Sequence, residues 1–373
     1  MNKRFPWVEA EIFKIKELGL YRTVRAVGDN FNVDFTTNDY LNLSSSPELL
    51  LGLSDDIRRL GARSSRVVSG TSDAHIEFES RVAKFMGQEA SLFLGSGYLA
   101  NLSLISSCVT RNDLVVMDKF AHASIVDGVK LSGAKFMRFT HNNFSDCESI
   151  IQDNYKKFKR IFLIVESIYS MDGDQAPLRE LVLIAKRYGV HLIVDEAHAF
   201  GVWGGGLVKY LGLQNEVFAV TANCSKALGG YGGIVSGPYE VIDLVINKGR
   251  GFIYSTALPE AMAKVSLRAL QLLEANKDLG NNLRARAYHF RKTLKELNVS
   301  TALTQGHIVP VIIGSNDRAQ KIVEGLGALG IRVYAFRSPT VPIGTERLRL
   351  SLTLAHSYED LDWCAREIVA ITQ

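Results

Sequence analysis

Thr221-Ala-Asn-Cys-Ser-Lys226-Ala-Leu-Gly-Gly-Tyr-Gly-Gly233 follows an apolar run that closes on Asp195-Glu-Ala-His198. An isolated lysine carries little information. A lysine among small residues, trailed by glycines and preceded by an aspartate that ends a buried strand, fits pyridoxal phosphate. That cofactor needs an amine for its Schiff base and a carboxylate to keep its ring nitrogen protonated. Asp195 and Lys226 are separated by about one strand–helix–strand unit, so both can emerge at one edge of a parallel sheet.

Working outward from this pair, short apolar runs alternate with helix-like segments. Candidate strands are Ser91–Leu94, Leu114–Asp118, Lys135–Phe139, Arg160–Glu166, Val190–Asp195, Val217–Ala222 and Gly233–Ser236. Several are continuously apolar, as expected of strands buried on both faces. Amphipathic stretches such as Leu178–Tyr188 lie between them. The alternation predicts an α/β doubly wound sheet, with the chemistry beyond the carboxyl ends of its strands. From Pro259 to Leu297 the pattern predicts one long helix. Beyond it come a strand over Ile308–Ile313, a helix over Asp317–Leu329, strands over Arg332–Ala335 and Arg347–Leu354, and a last helix after Ser357. The expected organisation is a helical arm over 1–36, a large domain over 37–275 and a smaller α+β domain over 276–373.

Bulk properties exclude several classes. The chain has 373 residues, 47% hydrophobic and 22% charged, with a net charge of +4 and no Lys/Arg block, which argues against nucleic acid as a partner. The start turns acidic before any apolar region develops, unlike a secretory signal. Ala90–Thr110 is uncharged but rich in serine, which fits a buried segment better than a membrane span. Cys108, Cys147, Cys224 and Cys364 show no metal spacing, so a reduced, cytoplasmic protein without a metal is expected.

Other motifs fall at strand ends. Gly95-Ser-Gly97-Tyr98 opens a helix, where exposed amides make a phosphate site; a plain tight turn is the alternative. His122 follows a strand and is placed either to stack on a flat cofactor or to cap the next helix at the surface. Glu166 and Ser170 bracket a turn rich in Asx chemistry, and either can bond polar ring substituents. Asp195 needs a partner for its charge, a ring nitrogen or a salt bridge. His198 lies one helical turn further on. Arg349 sits in an alternating strand, where a guanidinium fork suits a substrate carboxylate, while Arg347 is compatible with a solvent-facing position.

In order along the chain, Thr37-Asn-Asp-Tyr-Leu41, Val68-Ser-Gly70, Ser96-Gly-Tyr98, His122-Ala-Ser124, Ser170-Met-Asp-Gly-Asp174, Asp195-Glu-Ala-His198, Ser225-Lys-Ala-Leu-Gly-Gly230, Ile253-Tyr-Ser-Thr256 and Arg347-Leu-Arg-Leu350 resemble the α-oxoamine synthases. These are fold-type I pyridoxal-phosphate transferases. The resemblance implies a large domain with a mostly parallel seven-stranded sheet and a homodimer with a shared active site. It implies that Lys226 carries the Schiff base, His122 stacks on the ring, Asp195 pairs with the ring nitrogen, and His198 and Ser170 contact the ring oxygen. The amides of Gly97 and Tyr98 would hold the phosphate, with Thr256 reaching it from the partner subunit. Asn38 and Arg349 would hold the amino-acid carboxylate, and Arg22 and Thr340 would lie nearer the acyl substrate. Ser338-Pro-Thr-Val-Pro342 and Arg347–His356 resemble the branch that joins L-alanine to a pimeloyl thioester, carried on coenzyme A or acyl carrier protein, in biotin synthesis. Sister activities use glycine or serine, and a catalytically silent partner subunit is a further alternative. The sequence departs from the family pattern at Asn223, where threonine is usual as a phosphate ligand; asparagine donates a hydrogen bond from a different shape.

Overall fold

Alternate residues of the central strands face two different cores. Leu114 and Val116 belong to one apolar cluster and Val115 and Met117 to the other; Leu163 and Val165 divide from Phe162 and Ile164 in the same way. Side chains alternate across a strand, so a strand apolar at every position must be covered on both faces. The computed structural model describes residues 5–372 apart from 19, 25, 27, 29–30, 51–59, 303 and 339.

The strands in chain order are β1 (Val33–Asp34), β2 (Ala90–Leu94), β3 (Leu114–Asp118), β4 (Lys135–Phe139), β5 (Ile161–Glu166), β6 (His191–Asp195), β7 (Ala219–Asn223), β8 (Gly233–Gly237), β9 (Ile308–Ile312), β10 (Ile331–Arg332), β11 (Tyr334–Phe336) and β12 (Arg347–Ser351). Seven form the main sheet in the order β2-β8-β7-β6-β5-β3-β4. Its pairings are parallel except that β8 runs antiparallel to both β2 and β7. The Gly97–Cys108 and Ala123–Ser132 helices cover one face through Leu104, Ile105, Ile125 and Val129. The Asp73–Met86, Leu178–Tyr188 and Glu260–Ala275 helices cover the other. β4 is one of the two edge strands, and only Phe139 of it is buried.

A second, three-stranded antiparallel sheet has the order β11-β12-β9. The segment entering from the N-terminal side is tied to it: β1 pairs in parallel with β10, the Ser351 amide donates to the Phe35 carbonyl at 2.9 Å, and the Leu354 amide to the Tyr40 carbonyl at 2.9 Å. These bonds carry residues 35–40 alongside β12.

Three expectations are corrected here. The long helix expected from Pro259 to Leu297 is two helices, Glu260–Ala275 and Asp278–Glu296. Asn276 leaves the helical conformation at φ −124°, and its side-chain oxygen accepts from the Asp278 amide at 3.2 Å, the competition with backbone bonding that makes asparagine a helix terminator. The strand expected over Arg332–Ala335 divides at Val333, because β10 pairs with β1 whereas β11 pairs with β12. β12 ends at Ser351, short of the expected Leu354. Among the described residues no helix is long and apolar enough to cross a membrane.

Gly173 joins the two sheets at close quarters. Its φ is +65°, and a Cβ there would lie 2.2 Å from the Ile308 carbonyl oxygen at the start of β9. Gly204 has φ +59° but open space around it. Gly204→Ala should therefore cost only the left-handed backbone penalty, about 1–2 kcal/mol. Gly173→Ala adds a steric clash with backbone and should cost at least about 1 kcal/mol more. Chemical denaturation of the two variants side by side checks this; equal stabilities would contradict the close packing at Gly173.

Candidate active site

Three neighbouring strands carry polar residues in register. Glu166 at the end of β5 is in register with Asp195 at the end of β6, and Asp195 with Thr221 of β7. Immediately past the end of β7 the chain enters a turn held by the Cys224 amide on the Gly232 carbonyl at 2.9 Å, the Gly230 amide on the Cys224 carbonyl at 2.8 Å and the Gly229 amide on the Lys226 carbonyl at 2.9 Å. That turn swings Lys226 back over the strand ends. Its Nζ lies 2.9 Å from His198 Nε2, so the two residues singled out in sequence meet directly.

Asp195 is buried and held by neutral donors. Asn101 Nδ2 donates to Oδ2 at 2.7 Å and the Ala197 amide to Oδ1 at 2.9 Å. Asn101 is in turn fixed by Thr221, whose hydroxyl donates to Asn101 Oδ1 at 2.8 Å, and Asn101 Nδ2 also reaches Ser124 Oγ at 2.9 Å. Ser124 Oγ stands 2.8 Å from His122 Nδ1, so one network joins the carboxylate to the ring expected to stack. His122 caps the Ala123–Ser132 helix, yet it belongs to the centre as well, because Asp195 and Lys226 both act on its charge.

Lys226 is only half-buried by area, but its amine lies deep enough that desolvation lowers its pKa to about 8, against the opposing pull of Asp195 and Glu166. A lysine that loses its proton this readily serves as nucleophile and base. The Glu166 carboxyl is pushed well above the carboxylate range, first by burial and then by the charge of Asp195. Among the described residues its Oε1 has no hydrogen-bond partner.

The helix that starts at Gly97 forms a cradle with β7 and β8. Ser96 caps it, accepting from the Leu99 amide at 3.2 Å. A Cβ at Gly97 would stand 3.2 Å from Asn223 Cβ, and one at Gly233 would lie 2.1 Å from the Ser96 carbonyl oxygen. Glycine at both positions keeps the helix N-terminus open to a bound anion. Asn223 is buried beside it, with Oδ1 unpaired. The Tyr98 side chain is not in the cradle: its hydroxyl donates to Asp127 on the exposed side, leaving the amide as the group available to a ligand. Thr256 is exposed and shares a small pocket with Gly95 and Arg66. An amine of lowered pKa, a buried carboxylate held by neutral donors, an imidazole joined to it through Ser124 and a helix N-terminus kept open by glycines together fit pyridoxal phosphate.

On the other side, Arg349 is buried and aimed by three acceptors. Nε donates to the Ser170 carbonyl at 2.6 Å, Nη1 to Ser351 Oγ at 2.6 Å and Nη2 to Asn38 Oδ1 at 3.1 Å. Ser170 thus contributes its carbonyl to this clamp. Arg347 is not on a solvent face: it is largely buried and ion-paired with Asp172. Arg22 and Thr340 line one small pocket with Tyr334 and Arg337. A cleft of about 720 Å³ beside Trp203, Tyr210 and Arg284 contains none of these candidate residues.

Several members of the site carried no assigned role in sequence. Tyr40 links the two halves, 2.6 Å from His198 Nδ1 and 3.0 Å from Asn38 Oδ1. Asn101 sits one helical turn beyond Gly97, a spacing that puts it over the same strand ends. His307, immediately before β9, packs edge-on against the Tyr40 ring with centroids 4.0 Å apart; nothing in the local sequence marks it. Beside the centre, His141 bridges Asp118 and Asp174, at 2.8 Å from each.

The sequence profile of the aminotransferase class I and II family matches residues 32–368. The chain is 36% identical over 372 residues to an 8-amino-7-oxononanoate synthase of Geobacter sulfurreducens, covering 95% of each chain. Among solved structures it is similar to a serine palmitoyltransferase from S. paucimobilis with a bound PLP–myriocin aldimine, with TM-score 0.89, 26% identity and 99% and 97% of the two chains covered. It is also similar to an 8-amino-7-oxononanoate synthase from Francisella tularensis, with TM-score 0.77, 28% identity and 92% and 98% covered.

The His141 bridge has a pH signature. Burial alone would lower the pKa of this imidazole; the hydrogen bonds and charges of Asp118 and Asp174 outweigh it and raise the value to about 10. A group whose folded pKa is raised contributes stability that is complete below its unfolded value, near 6.5, and lost as pH rises toward 10. His141→Gln should therefore be less stable than the parent at pH 6, by a few kcal/mol, with the gap shrinking by pH 10. Urea unfolding at both pH values measures it, and a gap that does not narrow would show that His141 is not held charged.

Proposed function

The chain belongs to the aminotransferase class I and II family, and from that membership we propose that its reaction joins L-alanine to a pimeloyl thioester, on coenzyme A or acyl carrier protein, to give 8-amino-7-oxononanoate, carbon dioxide and free thiol. It is a pyridoxal-phosphate-dependent acyltransferase. The observation that carries the substrate reading is the identity of 36% to a synthase of that name along 95% of both chains. Supporting it is the placement of an amine of lowered pKa, Lys226, across from an oriented guanidinium, Arg349, with His198, Tyr40 and Asn38 between them.

Bound here, the cofactor supplies an aldehyde for an amine and an electron sink for the carbanion formed at the amino-acid Cα. We assign Lys226 to its covalent attachment, Asp195 to its ring nitrogen and His122 to its ring face. His198, Ser170 and Glu166 are assigned to its polar substituents. Its phosphate falls to the Gly97 and Tyr98 amides, Asn223, and Thr256 from a second copy of the chain. Asn101, Thr221 and Ser124 fix the Asp195 carboxylate, so its charge is oriented before anything binds. Arg349, already aimed by Ser170, Ser351 and Asn38, takes the amino-acid carboxylate and sets the Cα–H toward Lys226. The Lys226 amine then accepts that proton. Near pH 7–8 a base of pKa about 8 is partly free and still strong enough to act. Arg22 and Thr340 lie where we place the acyl chain.

A sister activity, with glycine or serine in place of alanine, is the second reading. The likeness to the serine palmitoyltransferase, which covers 99% of this chain, favours it.

Thiol release from pimeloyl-CoA by the cofactor-loaded protein, with alanine, glycine and serine compared, decides between them. Alanine-dependent release is expected; release with glycine or serine alone would move the assignment to a sister enzyme. Lys226→Ala should bind the cofactor without a covalent bond and lose at least about a thousandfold in rate. Asp195→Asn should lose far more rate than stability. Turnover near the parent's in either variant would refute the corresponding role.

A further inference from the structure

Four contacts in line join the Asn38–Arg349 pair to the amine. Lys226 Nζ is 2.9 Å from His198 Nε2, His198 Nδ1 is 2.6 Å from Tyr40 Oη, Tyr40 Oη is 3.0 Å from Asn38 Oδ1, and Arg349 Nη2 donates to the same oxygen at 3.1 Å. His198 and Tyr40 each have one proton to place along the line, and Arg349 also bears on the phenol, so the line runs in one of two polarities. An ammonium at Lys226 can only donate. It then requires His198 Nε2 to accept and Nδ1–H to donate to Tyr40 Oη, and the phenol donates to Asn38. A neutral amine, with two N–H groups and a lone pair, permits this polarity and also the reverse, in which His198 Nε2–H donates to Lys226 and the phenol donates to Nδ1.

We propose that Tyr40 is a positioning residue whose single hydroxyl proton selects the tautomer of His198 and thereby couples the Asn38–Arg349 clamp to the protonation of Lys226. The first polarity uses the phenol as acceptor from His198 and donor to Asn38; the reverse leaves the phenol oxygen and Asn38 Oδ1 facing each other with no proton between them. Tyr40 and Asn38 therefore favour the His198 tautomer that the charged amine requires, and losing either group opens the reverse polarity to the neutral amine.

The surroundings keep the relay rigid and His198 neutral. Tyr40 is fully buried, with its ring fixed edge-on by His307, and burial raises its pKa to about 12, so it does not ionise in the working range. Burial, followed by the charges of Lys226, Arg349, His307 and His122, keeps His198 far below its ordinary pKa. His307 is itself lowered to about 3, chiefly by burial, and so adds no proton of its own. Facing Lys226 from the strand ends are Asp195 and Glu166, which favour its charge, and from β12 Arg349, which opposes it.

The inference rests on Lys226 being the amine that bonds the cofactor. Its test uses nitrogen NMR of the full-length protein with isotope-labelled histidine, His198 being assigned from the His198→Gln spectrum. In protein stripped of cofactor, His198 should be neutral and Nδ1–H while Lys226 is charged, and Tyr40→Phe should let it pass to Nε2–H as pH rises through the Lys226 pKa, with that midpoint moved down by about one unit. The rate at which pyridoxal phosphate recombines with the stripped protein should show the same displaced pH midpoint. Asn38→Leu removes the acceptor of the phenol proton and should move it in the same direction, which keeps the test open if the Tyr40 variant fails to fold. A parent His198 that carries its proton on Nε2 while Lys226 is charged, or midpoints unchanged in both variants, would overturn the proposal. Neither measurement needs an amino acid or a thioester, so a wrong substrate assignment leaves it standing, whereas recombination undiminished in Lys226→Ala would sink the cofactor-attachment premise instead.

Discussion

A carboxylate buried at the end of β6 sets the terms for everything around it. Removing an ionised group from water is costly unless it is bonded or meets opposite charge. Asp195 has two neutral donors, Asn101 and the Ala197 amide, and Asn101 is anchored by Thr221 on the next strand. Hydrogen bonds orient the charge without neutralising it. What remains is a field that favours a cation directly above the strand ends, where Lys226 turns in and where a protonated ring nitrogen would be held. Preorganised charge of this kind acts without reorganising during the reaction.

The same economy governs the glycines of the cradle. Gly97 and Gly233 are small because β8, the Ser96 turn and Asn223 converge there, not because the chain needs flexibility. A methyl group at either position would displace the helix start whose amides face the anion site. The Lys226 turn depends on this packing as well, since the Cys224 amide bonds to the Gly232 carbonyl immediately before β8.

The surroundings of Arg349 are assembled from distant pieces of chain. Asn38 and Tyr40 reach the site because residues 33–40 are bonded to β10 and β12, while Arg349 is carried on β12 itself. Gly173, packed against Ile308, and Arg347, paired with Asp172, pin this second sheet to the turn that follows β5. The clamp and the amine therefore sit on different sheets, and the Tyr40–His198 contact spans the junction.

Much of this was legible in one dimension. Period-two burial along continuously apolar runs, with helices between, determined a parallel sheet covered on both faces, and motifs at the strand ends determined where the chemistry would lie; such signals are local and survive without coordinates. Asp195, His198 and Lys226 were readable for that reason. Where one helix stops and the next begins at Asn276 was not, because one asparagine side chain turned on the backbone leaves the periodicity of the flanking segments unchanged; nor was the partner each half of the Arg332–Ala335 run chooses, because that outcome turns on competing pairings with remote strands. Tertiary structure alone decided that Ser170 offers its carbonyl rather than its hydroxyl to Arg349, that the Tyr98 side chain turns away from the cradle, and that Tyr40 and His307 belong to the centre. Hydrogen bonds reach about 3 Å and depend on direction, so contacts between residues hundreds of positions apart exist only once packing has brought the two sheets together.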